Sequence, residues 1–186
     1  MNHLFSSCVI AFSTYSRISM LLVDWNENNM KHTLAFFPLV GAAVGAAFWG
    51  ADALCRLLDL GDVLRAALLT AVPAVVTGGI HLDGYCDTVD ALASHASREK
   101  KLAILKDSGA GAFAVIWCGV WFVLTFALMA ELESVTTLAA CFVLSRTASA
   151  SAVEQLPPAR PNSGMGAALK ARSKSPRWVL VVYLCL

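Results

Sequence analysis

Three carboxylates and an imidazole crowd the stretch Gly78-Gly79-Ile80-His81-Leu82-Asp83-Gly84-Tyr85-Cys86-Asp87-Thr88-Val89-Asp90. Asp83, Asp87 and Asp90 are spaced i, i+4, i+7, which on a helix sets them within about 60° of one another. Carboxylates that close repel, and some must take up a proton unless a cation stands between them. A divalent metal with hard oxygen ligands resolves the conflict, and Mg²⁺ is the usual one where phosphates are handled. Asp83, Asp87 and Asp90 are therefore candidate Mg²⁺ ligands. A plainer account exists for each acid singly: Asp83 as an N-cap, Asp87 as a first-turn acid favoured by the helix dipole. Three on one stripe, behind His81 and a Gly-Gly hinge, favour a site.

Cations able to grip phosphate oxygens occur elsewhere in the chain. Arg146, Arg160, Lys106 and Arg17 are the candidates, the arginines offering a bidentate fork. Metal-binding acids with arginines at a membrane face suit phosphoryl or nucleotidyl transfer. His81 suits a general base that activates an attacking hydroxyl; a helix-end histidine bonded to Asp83 or the backbone is the competing account, and both stay open. The basic run of Lys170, Arg172, Lys174 and Arg177 reads as a topology signal and lipid-headgroup contact.

The elements that must position these groups are apolar. Of the 186 residues 58% are hydrophobic and 15% charged, and mean hydropathy is +0.65. A soluble domain carries about 25% charged residues, so the composition is that of a membrane protein. A net charge of +1 gives no support for nucleic-acid binding. Six scattered cysteines without a C-x-x-C pair exclude a zinc knuckle and argue against a disulfide framework.

An all-α, multi-pass membrane bundle forming one domain is expected, with four to five membrane segments. Residues 4–23 carry several serines and Arg17 and read as an interfacial or re-entrant segment. Residues 34–58 are long enough to span, with Gly41, Ala42, Gly45 and Ala46 as a small-residue packing face. Residues 63–80 form a second span that Pro73 should kink. Residues 91–107 are expected as an amphipathic surface helix, broken at 107–111. Residues 112–130 form a third span, Glu131 and Glu133 a turn, and residues 135–153 a fourth span containing Arg146. Residues 178–186 begin a fifth apolar segment. Lysines and arginines cluster at 98–106 and 160–177, so the positive-inside rule sets the acidic stripe, Asp107 and the Arg160 loop on the cytoplasmic side.

Gly79-x-His81-Leu82-Asp83-Gly84-x-x-Asp87-Thr88-x-Asp90, followed by Arg98-Glu99-Lys100-x-x-x-Ile104-x-Lys106-Asp107-Ser108-x-x-Gly111, closely resembles the cobalamin synthase family. That family is also called adenosylcobinamide-GDP ribazoletransferase. The resemblance takes in Tyr15-Ser16-Arg17-Ile18, Phe36-Phe37-Pro38-Leu39-Val40-Gly41, Ser145-Arg146 and Ala159-Arg160-Pro161 with Gly164 and Gly166. It implies a Mg²⁺-dependent enzyme of a prokaryotic cytoplasmic membrane. Such an enzyme joins α-ribazole, or its 5′-phosphate, to adenosylcobinamide-GDP and releases GMP, late in cobalamin assembly. Carried over by match, His81, Asp83, Asp87, Asp90 and Asp107 form the catalytic core, with Arg146 and Arg160 as phosphate contacts. Membrane lipid is then a partner, nucleic acid is not, and a homo-oligomer stays open. Ser19 and Pro158 depart from the family's usual proline and tyrosine. Members run on for further spans, so a fragment or shortened form is expected. A CDP-alcohol phosphotransferase also sets Mg²⁺-binding aspartates on membrane helices, but Asp87-Thr88 does not fit its motif. A small cation transporter is the alternative from another class; it predicts acids at mid-span.

Overall fold

Apolar runs of this length leave backbone groups no partner but one another, and helix is the only regular structure among the described residues. The computed structural model describes residues 2–107, 109–159, 165–173 and 183. Two units are distinguishable, one of residues 1–50 and 134–186, the other of residues 51–133.

In the first unit, α1 (His3–Tyr15) has 13 residues, about 20 Å of helix against a hydrocarbon core of about 30 Å. The helix by itself is shorter than that thickness. The polar loop after it contains a single turn, α2 (Glu27–Met30), capped by the Asn26 side chain accepting from the Asn29 amide at 3.0 Å. Ser7 Oγ donates to the Asn29 carbonyl at 2.6 Å, tying α1 to α2. The long helix α3 (Thr33–Leu57) follows; its first part lies in this unit and its end in the other. Ile10, Ala11, Met30, Leu34, Phe37, Val40, Ala150 and Leu169 make the buried core. Of the expected small-residue face, Gly41 and Gly45 are buried at a close approach, whereas Ala42 and Ala46 are exposed. A Cβ at Gly45 would stand 2.5 Å from the Ala139 carbonyl oxygen, and one at Gly41 would collide with the Phe142 carbonyl. Both carbonyls belong to α8 (Thr136–Gln155). Helix α9 (Met165–Arg172) closes the unit, the Ser173 hydroxyl donating to Glu154 at 3.1 Å.

The second unit is built on α4 (Asp62–Thr77) and α7 (Ala112–Ala130), which run antiparallel. At one end Arg65 Nε reaches Asp52 Oδ1 at 2.5 Å while Nη1 donates to the Leu132 carbonyl at 3.3 Å. Arg56 Nε holds the other oxygen of Asp52 at 2.9 Å. Asp52 and Arg65 are 5% and 6% exposed, so this is a buried pair whose partners satisfy one another. It joins the end of α3, the start of α4 and the turn after α7.

Among the described residues two helices, α3 and α7, are long and apolar enough to cross a membrane, or three if the bent pair of α4 and α5 (Ile80–Ala93) is one span. Three expectations change here. Helix α4 continues unbroken past Pro73, and the 91° bend to α5 falls at Gly78 and Gly79, with φ of +66° and +79°. Left-handed backbone of this kind costs any residue with a Cβ. The surface helix expected over 91–107 is instead α6 (Arg98–Ile104), separated from α5 by a break at His95, φ +48°. The expected fourth span, now α8, is long enough, but Ser145, Arg146, Thr147, Ser149 and Ser151 leave it outside the spanning set. The expected apolar segment at 178–186 lies outside the described residues except for Tyr183.

Candidate functional site

The Gly-Gly break decides where the acidic stripe points. The break turns α5 by 91° from α4, and α5 then packs against the start of α7 through Cys86 and Asp90. On α5, His81 and Asp83 are exposed, and Asp87 and Asp90 are half-buried. His81 opens the helix, directly after the break, and Asp83 stands half a turn further on.

Asp90 has a role that spacing did not reveal. Its Oδ2 accepts from the Gly111 amide at 2.6 Å and its Oδ1 from the Ala114 amide at 2.9 Å. These are the N-cap and third residues of α7, whose first amides have no partner within the helix. A capping side chain stabilises a helix start by about 1 kcal/mol, and a carboxylate there also meets the positive end of the helix dipole. Next to it the Cys86 thiol faces the Ala114 carbonyl at 4.0 Å, and Ala114 is fully buried. The signal for this contact lay in residues 109–111: a glycine-rich approach to an apolar run with no side chain to cap it.

Asp107 and Lys106 sit in the loop between α6 and α7 and are exposed. Asp107 Oδ1 accepts from the Gly109 amide at 3.3 Å, a local turn that shapes the loop. In front of it Ser97 caps α6 through the Lys100 amide, and the Glu99 carboxyl is held below its usual range by its own backbone amide and the Ser97 hydroxyl. The same unit thus gathers His81, Asp83, Asp87, Asp90, Lys106 and Asp107 on α5 and the segment leading into α7.

Among the described residues no three His, Cys, Asp or Glu side chains gather closely enough to hold a metal ion. Asp90 is turned to backbone amides, which leaves Asp83 and Asp87 on neighbouring turns. That pair still fits Mg²⁺, which keeps several waters and is held by one or two carboxylates with the substrate's phosphates.

Arg17 and Arg146 belong to the other unit. Arg17 is exposed just beyond α1. Arg146 is half-buried in α8: its Nη1 donates to Ser145 Oγ at 2.8 Å, its guanidinium carbon lies 5.6 Å from the Phe142 ring centroid, and its buried Nε has no hydrogen-bond partner. An orphaned guanidinium donor costs free energy unless an acceptor arrives, so this residue fits an anion. Arg160 lies outside the described residues.

Comparison with known proteins identifies the family. A family model described as cobalamin-5-phosphate synthase matches residues 7–186. An adenosylcobinamide-GDP ribazoletransferase of Lachnoclostridium phytofermentans is 43% identical over 184 residues, covering 97% of this chain and 70% of that protein. One from Desulfitobacterium hafniense is 36% identical over 152 residues, 78% of this chain and 59% of its own length. One from Clostridium botulinum Eklund 17B is 36% identical over 126 residues, 68% and 50% respectively. The chain therefore spans between half and about two-thirds of these relatives. No solved structure matches.

Proposed function

The chain belongs to the cobalamin-5-phosphate synthase family, and from that premise we propose that it is an adenosylcobinamide-GDP ribazoletransferase. The acceptor is α-ribazole or its 5′-phosphate, and the leaving group is GMP. The observation that carries the reading is the acidic stripe of α5, turned through 91° from α4 in the same unit as Lys106 and Asp107. The transporter alternative, which needs acids at mid-span, predicts no GMP release.

In the proposed reaction a ribose hydroxyl of the acceptor attacks the cobinamide-side phosphorus of the diphosphate. The bond from that phosphorus to the bridging oxygen breaks, and the oxygen leaves on GMP. His81, exposed at the start of α5, takes the hydroxyl proton. Asp83 and Asp87 are the residues we assign to Mg²⁺, which when bound neutralises charge on the diphosphate. Lys106 supplies a fixed positive charge for the phosphate oxygens, and Asp107 shapes the loop that presents it. Within the other unit, Arg146 is proposed as a phosphate contact on the strength of its buried, unpartnered Nε; Arg17 and Arg160 are assigned to phosphate by residue type and family resemblance alone.

We further propose a multi-pass protein of the cytoplasmic membrane with the stripe facing the cytosol. Arg98, Lys100, Lys101 and Lys106 lie at the stripe's end of the second unit, and Glu131 and Glu133 follow the opposite end of α7, as the positive-inside rule requires. The function is tested by supplying membranes containing the protein with adenosylcobinamide-GDP and α-ribazole. GMP and a completed corrinoid should appear one for one, and only with both substrates present. Hydrolysis of the diphosphate without joining would sink the proposal.

A further inference from the structure

We propose that Asp90 is a positioning residue rather than a metal ligand: from α5 it closes the first turn of α7, and so holds the loop of Lys106 and Asp107 against the acidic stripe. The inference rests on the reading of the stripe as the reaction site.

A helix start is ordinarily capped from its own sequence. The N-cap side chain accepts from the amide three residues on, and the side chain there reaches back to the N-cap amide. Helix α7 has neither half, because its N-cap is Gly111 and its third residue is Ala114. Asp90 performs both with one carboxylate, accepting from Gly111 at 2.6 Å and from Ala114 at 2.9 Å. The two sides of the contact are fitted to each other. A Cβ at Gly111 would stand 2.8 to 2.9 Å from all three atoms of the Asp90 carboxyl group, so a side chain there would push the carboxylate off its amides. The chain between the partners includes α6, Lys106 and Asp107, and the bond closes that whole segment into a loop anchored on the stripe helix. With both oxygens occupied by amides, Asp90 does not gather with Asp83 and Asp87 into a three-ligand set.

The test uses the purified full chain in detergent and three readouts: Mn²⁺ binding followed by paramagnetic resonance, amide hydrogen exchange over residues 111–114, and GMP release. In Asp90→Asn, Mn²⁺ affinity should stay within about twofold of the unaltered protein, while exchange over 111–114 quickens by roughly tenfold and kcat falls. Asp83→Asn should do the reverse, weakening Mn²⁺ with exchange unchanged. Gly111→Ala, which leaves every carboxylate in place, should reproduce the Asp90→Asn pattern, and the kcat losses of those two variants should not add in the double variant. Asp90→Asn weakening Mn²⁺ as much as Asp83→Asn does, with residues 111–114 still protected, would overturn the proposal. If neither Asp83→Asn nor Asp87→Asn alters Mn²⁺ binding, the metal reading fails, and exchange over 111–114 still decides for or against Asp90.

Discussion

A carboxylate bonded through both oxygens to backbone amides differs in kind from one that faces water. Asp90 is of the first sort and Asp83 of the second, although the sequence writes both as members of one stripe. The spacing i, i+4, i+7 groups the three acids but does not divide their labour, because the partner amides at 111 and 114 lie more than twenty positions away. Arg146 shows the opposite case. Its residue type alone suggested a phosphate contact, and the fold adds a buried Nε with nothing to bond. A planar fork is what such a site would use, and lysine cannot imitate it. Arg146→Lys is therefore expected to raise KM for adenosylcobinamide-GDP by about tenfold, close to the effect of Arg146→Ala, since a charge-assisted hydrogen bond contributes roughly 1.5–3 kcal/mol. Full rescue by lysine in steady-state kinetics would show that only charge matters there.

At the scale of elements, the Gly78–Gly79 break matters more than any single helix. Its two positive φ values redirect the chain at the point where an apolar run meets its acids. The bend was legible as a hinge but was expected at Pro73 as well, and Pro73 lies inside an unbroken α4. Two adjacent left-handed glycines outweigh one proline that a helix can accommodate. No atom lies within 4 Å of a Cβ built at Gly79, so Gly79→Ala would add strain without a clash, about 1–2 kcal/mol. That variant should lower the midpoint of thermal unfolding in detergent and reduce GMP release, by altering how α5 leaves α4; an unchanged midpoint would mean the turn carries no strain there. The small-residue face of α3 was legible because glycines at i and i+4 can only serve close approach, and Gly41 and Gly45 meet the α8 backbone. The division of 91–107 at His95 was not, because its apolar and charged positions keep helical spacing across the break.

For the whole molecule, composition and hydropathy announced an all-helical membrane protein, and α3 and α7 are the helices that fit a bilayer. The expected fourth crossing is not among the clearly apolar helices, because one arginine and its neighbouring hydroxyls lower the hydropathy of α8. The buried Asp52–Arg65 pair went unread because balanced charges in a short link look solvated until the end of α7 is seen to cover them. What unifies the second unit is its polarity along α7, with an ion pair and acids at one end and the stripe, Lys106 and Asp107 at the other. The account's central claim is that the second end is where GMP is released. Asp87→Asn tests it most directly, measured as GMP release at saturating Mg²⁺ beside the unaltered protein, with both brought to equal folded amounts by size-exclusion profile. The account predicts a rate lower by about 10² or more, the scale of losing a principal electrostatic group, with the elution profile unchanged. An Asp87→Asn protein that releases GMP at the unaltered rate would contradict it.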